Sequence, residues 1–170
     1  MRWRTYLLVL CIIVLVFAPV AAENLTMSVD PEWIVANGHD STIVSLNVTD
    51  FWEQPISGLS VSFEVNDSDL GFVYPESGVV TDEDGIASTV FRSKTVSGTA
   101  NITATFSSPN GTFSESTLVY IDHDTPYSIR YLSYPVEETV GSVQNIMVGL
   151  QDTWGNIVDD QRVAENINFS

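Results

Sequence analysis

The chain has 170 residues, 44% hydrophobic and 16% charged, with 22 acidic side chains against six basic ones and a formal charge of −16. A single lysine, Lys94, and five arginines exclude the clustered cations that nucleic acid or an anionic membrane surface demands. The positive mean hydropathy separates this acidity from intrinsic disorder, which pairs charge with low hydrophobicity, and the length fits one to two small domains.

Residues 1–22 read as an address. Arg2 and Arg4 precede the apolar run 6–17, and Pro19-Val20-Ala21-Ala22 supplies a small-residue exit. These are the three parts of a secretory signal peptide, with cleavage expected between Ala22 and Glu23. The uncharged stretch 5–22 also borders on the length of a membrane span, but Pro19 and the small tail favour cleavage. Cys11 follows Leu10 inside the apolar run, where a bacterial lipobox has a small residue, so lipidation is not expected. Cleavage leaves four basic residues against 22 acidic ones, a formal −18, and no cysteine. Disulfides, zinc–thiolate centres and cysteine nucleophiles are thereby excluded from residues 23–170.

The remainder alternates as strands do. In 41–49, Val44, Leu46 and Val48 share one face; in 60–65, Val61, Phe63 and Val65 do. Segment 85–93 sets Ala87, Thr89 and Phe91 against Ser88, Val90 and Arg92. Segment 99–106 sets Ala100, Ile102, Ala104 and Phe106 against Asn101, Thr103 and Thr105, and 112–121 supplies a further strand. Turn signals separate them at Asn37-Gly38, 55–58, 75–78, Asp84-Gly85, Ser97-Gly98 and Pro109-Asn110-Gly111. This spacing, with one face of each strand apolar, predicts an all-β sandwich of two antiparallel sheets.

A shift of 102 positions aligns Val44 with Ile146, Leu46 with Val148, Val48 with Leu150, Asp50 with Asp152, Trp52 with Trp154 and Ile56 with Val158. After a slip of about four residues, Val61 meets Ile167 and Phe63 meets Phe169. The predicted organisation is a domain at 23–122, a linker at 123–126 and the first strands of a second, truncated copy at 127–170. Three strands cannot close a sandwich, so the second copy is expected to expose an apolar edge that needs a cover.

Six of the ten asparagines sit in Asn-x-Ser/Thr sequons: Asn24, Asn47, Asn66, Asn101, Asn110 and Asn168. The alternation turns Asn47 and Asn101 away from the core, while Asn66 and Asn110 fall in turns, the placement a glycan needs. Catalytic signals are thin. His39 and His123 lie among turn residues and read as solvated, and the carboxylate pairs Asp82/Asp84, Glu137/Glu138 and Asp159/Asp160 read as loop charge. Calcium, which takes six to eight oxygens, has candidate ligands in Asp82, Asp84, Asp122 and Asp124, and an ion at the linker would stiffen an array. EF-hand spacing is absent, since the twelfth position from Asp82 is Ser93. The plainer role for Asp82 is to accept turn N–H groups while Gly85 takes a positive φ. Trp33, Trp52 and Trp154 could form an aromatic carbohydrate platform, although the repeat of Trp52 at Trp154 points to packing near a strand end.

The runs Pro55-Ile56-Ser57-Gly58-Leu59-Ser60-Val61-Ser62-Phe63, Thr81-Asp82-Glu83-Asp84-Gly85-Ile86-Ala87 and Gly98-Thr99-Ala100-Asn101-Ile102-Thr103-Ala104 resemble the bacterial Ig-like domain of the Big-1, invasin/intimin type. Asp152-Thr153-Trp154-Gly155-Asn156 resembles the Asp-x-x-Gly-Asn turn of the same family; the first copy has Glu53-Gln54 in place of Gly-Asn. The resemblance implies an Ig-like sandwich used in tandem on a cell surface, with partners among other domains of a surface protein or surface glycans. Sequon density, acidity and scarcity of lysine add an archaeal-type envelope to that expectation. The reading is a non-enzymatic, exported, rigid glycosylated spacer or adhesion module without cofactor. Its alternatives are a calcium- or glycan-binding domain and a non-catalytic fragment of a longer exported enzyme.

Overall fold

The computed structural model describes residues 24–133, 140–141 and 147–159. The expected signal peptide with its Ala22/Glu23 cut, Glu137, Glu138, Asp160, the repeat partners Ile146, Ile167 and Phe169, and the sequon at Asn168 lie outside the described residues.

Every described element is a strand. In chain order these are β1 (Asn24–Asp30), β2 (Trp33–Val35), β3 (Ser41–Thr49), β4 (Ser60–Val65), β5 (Gly71–Tyr74), β6 (Val79–Val80), β7 (Ile86–Ser93), β8 (Gly98–Ser108), β9 (Gly111–Asp122), β10 (Pro126–Tyr131), β11 (Val148–Asp152) and β12 (Ile157–Val158). One sheet has the order β1-β3-β7-β5, a second β2-β9-β8-β4-β6, and a separate three-stranded sheet β10-β11-β12. The expected all-antiparallel pairing has one exception, because β2 runs parallel to β9, with Trp33 opposite Tyr120 and Val35 opposite Asp122. A three-residue strand adds only a short ladder to the end of β9, where the chain is about to leave the sheet.

The two larger sheets face each other across an apolar core. Val44, Leu46, Val48, Ala87 and Phe91 from one sheet and Val61, Phe63, Ala100, Ile102, Ala104, Phe106, Val119 and Ile121 from the other are buried. Strand pleating puts every second residue on the inner face, so the alternation along β3, β4, β7 and β8 is the burial pattern itself. Val65 is only half-buried at the end of β4. Buried hydroxyls find acceptors: Thr42 donates to the Pro31 carbonyl at 2.6 Å and Thr89 to the Pro75 carbonyl at 2.7 Å. Thr81 donates to the Ile56 carbonyl at 2.8 Å and accepts the Leu59 N–H at 3.0 Å. These bonds let polar groups enter the core without an unpaired donor.

The registers place the two ends of the sandwich at opposite poles. Asn24 opens β1 opposite Thr49, the last residue of β3. Asp122 closes β9 beside Val35, and Val35 and Ser93 lie with Asp40 at the start of β3. The chain therefore enters at one pole and leaves at the other. The 11-residue strand β8 sets a long axis of roughly 36 Å at about 3.3 Å per residue.

Candidate functional site

Three turns are built by one device. The Asp50 Oδ1 accepts the N–H groups of Trp52 (2.8 Å) and Gln54 (2.9 Å); Asp82 Oδ1 accepts those of Asp84 (3.0 Å) and Ile86 (2.9 Å). Asp152 Oδ1 accepts those of Trp154 and Asn156, both at 2.9 Å. Each carboxylate thus holds the amides two and four residues ahead, and each turn carries a left-handed residue three ahead of the Asp: Glu53 (φ 62°), Gly85 (φ 76°) and Gly155 (φ 91°). Glu53-Gln54 therefore keeps the turn type of Gly155-Asn156. Gly85 is required twice over, because a Cβ there would lie 2.5 Å from the Val48 carbonyl.

The Asp152 turn does more than close a hairpin. Its Asn156 Nδ2 donates to Asp152 Oδ2 at 2.7 Å and to the Thr95 carbonyl at 3.0 Å, and its Oδ1 accepts the Ser97 N–H at 2.9 Å. Asp152 Oδ2 also accepts the Asp124 N–H at 3.0 Å. One amide side chain thus ties the β11–β12 turn to the β7–β8 loop of the sandwich, and one carboxylate ties it to the linker. Burial pushes the Asp152 carboxyl up, but its bonds from the Asn156 amide and from the backbone of Asp124, Asn156 and Trp154 outweigh this and hold it below its ordinary value. In the first turn Gln54, one methylene longer, bends back to its own Trp52 carbonyl at 3.2 Å.

Beside this clasp lies an open groove of about 440 Å³, lined by Trp33, Thr99, Tyr120, His123, Ile157 and Asp159 among others. Trp33 stacks on Tyr120 with ring centroids 4.6 Å apart. His123 departs from the solvated role expected of it: only 10% of its side chain is exposed. Its Nδ1 lies 2.8 Å from the Asp124 carbonyl, which can only accept, so the proton of the neutral ring sits on Nδ1 and the lone pair on Nε2. That Nε2 is buried, has no hydrogen-bond partner among the described residues, and stands 3.5 Å from Asp122 Oδ1.

The remaining candidates are scattered. His39 is exposed in the β2–β3 turn, where its backbone N–H donates to Asn37 Oδ1 at 2.8 Å. Asp82 and Asp84 are exposed, and the Asp82 Oδ1 is occupied by its own turn. Asp124 Oδ1 accepts the Thr125 N–H at 2.7 Å. Among the described residues the metal-capable side chains that converge in a group of three are Asp122, His123 and Asp159, with ligand atoms within 4.8 Å of one another. Asp159 was paired in sequence with Asp160 as loop charge; its partnership with His123 spans 36 positions and no local spacing signals it. The tryptophans do not pack into a core. Trp33, Trp52 and Trp154 are 56%, 58% and 52% exposed, with Trp33 on Tyr120 and Trp52 edge-on to Phe51. The turns that carry Trp52 and Trp154 present their side chains outward, so the repeat preserves a turn position there.

Of the sequons, Asn24, Asn47, Asn66 and Asn110 are exposed. Asn101 is half-buried, its N–H donating to Asn66 Oδ1 at 2.8 Å and its own Oδ1 buried without a hydrogen-bond partner among the described residues. Facing away from the core does not expose it: on the central strand β8 the other outward-facing residues Thr103 and Thr105 are half-buried as well.

Residues 24–119 match the family model of the bacterial Ig-like domain (group 1). Among solved structures, the chain is similar to the Yersinia pseudotuberculosis adhesin InvE, at 21% identity and TM-score 0.51 over 64% of this chain and 29% of that one. It is similar to InvD of the same organism, at 17% identity and TM-score 0.53 over 81% and 44% of the two chains. It is also similar to an invasin described as a bacterial integrin-binding protein, at 19% identity and TM-score 0.53 over 79% and 27%. The chain thus spans less than half the length of each of these structures. No curated protein sequence matches it.

Proposed function

The chain belongs to the group 1 bacterial Ig-like domain family, and from that premise we propose that it is a non-catalytic structural module of an exported surface protein, a rigid spacer built from Ig-like units joined end to end. The observation that carries this reading is the opposition of entry and exit, coupled to the clasp at the exit. A module that enters at one pole and leaves at the other extends its chain by its own length. A junction tied through Asn156 and Asp152 passes that direction to the next unit. Three residues, 123–125, separate β9 from β10, too few for a flexible hinge to swing freely.

The three-stranded sheet repeats the start of the sandwich. β11 pairs with β10 as β3 pairs with β1, and Leu150 faces Val158 where Val48 bonds Ile56. We read it as the opening of the second copy. The leader, the sequons and the acidity support export and a hydrated outer surface; acid-rich faces repel one another and resist collapse onto a neighbour. Its partners in this reading are the adjoining domains of the same surface protein. The reading is tested by the intact mass of the native protein in its own cell-envelope fraction. A polypeptide lacking residues 1–22 and heavier by glycan increments at the exposed Asn24, Asn47 and Asn110 is expected. An unmodified chain retaining residues 1–22 in the cytosol would overturn it.

A further inference from the structure

We infer that Asp122, His123 and Asp159 form a binding site for a divalent transition-metal cation of the zinc class, one that bridges the sandwich to the three-stranded sheet. The argument starts at His123. Its Nδ1–H is committed to the Asp124 carbonyl at 2.8 Å, which fixes the ring and leaves the Nε2 lone pair pointing at carboxylate oxygen rather than at a donor. A buried Nε2 without a hydrogen-bond partner among the described residues and 3.5 Å from a carboxylate calls for positive charge, either a proton on Nε2 or a metal ion, and the second carboxylate, Asp159, in the same set is what points to the metal. A metal-bound histidine ordinarily carries this second bond from its other nitrogen to a carbonyl, and it raises the basicity of the ligating atom.

Asp122 Oδ1 is held in place by the His123 backbone N–H at 2.8 Å, and the Asp159 carboxylate completes a set within 4.8 Å. One imidazole and two carboxylates with an open groove alongside match a three-ligand site with water in the fourth position. The same set does not suit calcium, which takes oxygen ligands only, so the imidazole decides the class of ion. Asp122 closes β9 and His123 follows it, whereas Asp159 follows β12, so the ion would cross-link the two parts at the joint that Asn156 already ties. The inference rests on the rigid-joint reading for its purpose, while its chemistry stands on the ligand geometry alone.

Calorimetric titration of the full chain, stripped of metal, with zinc chloride and separately with calcium chloride tests it. One zinc per chain is expected, at least tenfold weaker in His123→Gln and in Asp159→Asn and unchanged in the distant Asp84→Asn. Asp159 is exposed, so Asp159→Asn keeps the test decisive should His123→Gln fail to fold. Absence of zinc binding, equal zinc affinity in Asp159→Asn, or calcium binding that survives His123→Gln and fails in Asp159→Asn would each overturn it. A metal failure with the two parts still fixed relative to each other would remove the site and leave the spacer reading standing.

Discussion

At the scale of single residues, the turns show how one backbone geometry tolerates different side chains at different cost. Glu53 occupies the left-handed conformation that Gly155 occupies in the equivalent turn, and a side chain there costs about 1–2 kcal/mol. Glycine would recover this, less its larger loss of backbone freedom on folding. Glu53→Gly is therefore expected to raise unfolding free energy by roughly 0.5–1 kcal/mol, read from chemical denaturation. A destabilisation would mean that Glu53 makes a contribution the turn geometry does not require. Asp152 differs from Asp50 and Asp82 in what surrounds it: it is buried, and both its oxygens are used.

Among the elements, the inner-face alternation determines most of the structure. Phe63 sits on β4 opposite Ala104 of β8 and is buried between the sheets. Phe63→Ala is expected to cost ~3–5 kcal/mol, checked by the same denaturation, because truncation leaves a cavity in a close-packed layer. An unchanged midpoint would contradict the register. Strands β3, β4, β7, β8 and β9 were legible because their period of two is long enough to see, and β3 and β4 have the bounds that alternation alone assigns; β10, exposed along its whole length, shows no such period of burial. β1 carries the same signal in Leu25, Met27 and Val29, but it was not assigned because it begins just past the expected cleavage point. β2, β5 and β6, at three, four and two residues, are too short for any period and are held by their neighbours instead. The site was far less legible. Asp152 was marked by the repeat and Asn156 by the Asp-x-x-Gly-Asn turn, but neither signals the reach of Asn156 to Thr95 and Ser97, which exists only once the chain has folded back. His123 read as a loop residue because its burial comes from groups distant in sequence.

For the molecule as a whole, the joint at Asp152 is sensitive to acid. The folded carboxyl lies below its ordinary value, so its stabilising bonds are fully present above about pH 4, the unperturbed aspartate range, and are lost as pH falls through the lowered folded value. Protonation replaces an acceptor by a hydroxyl facing the Asn156 amide and the Asp124 N–H. Hydrogen exchange at the Asp124 and Ser97 amides should show protection at neutral pH that fades below pH 4. In Asp152→Asn, whose amide mimics the protonated acid, protection at both should be weak throughout.

The central claim is that the two parts of the chain are held in one orientation. Spin labels at Glu64→Cys on β4 and Arg130→Cys on β10, both exposed, in a chain carrying Cys11→Ser, report the distance across the joint by pulsed dipolar spectroscopy. A single narrow distance distribution at neutral pH, broadened by Asn156→Ala, is the predicted result. A broad distribution in the parent chain, indifferent to Asn156→Ala, would contradict the account.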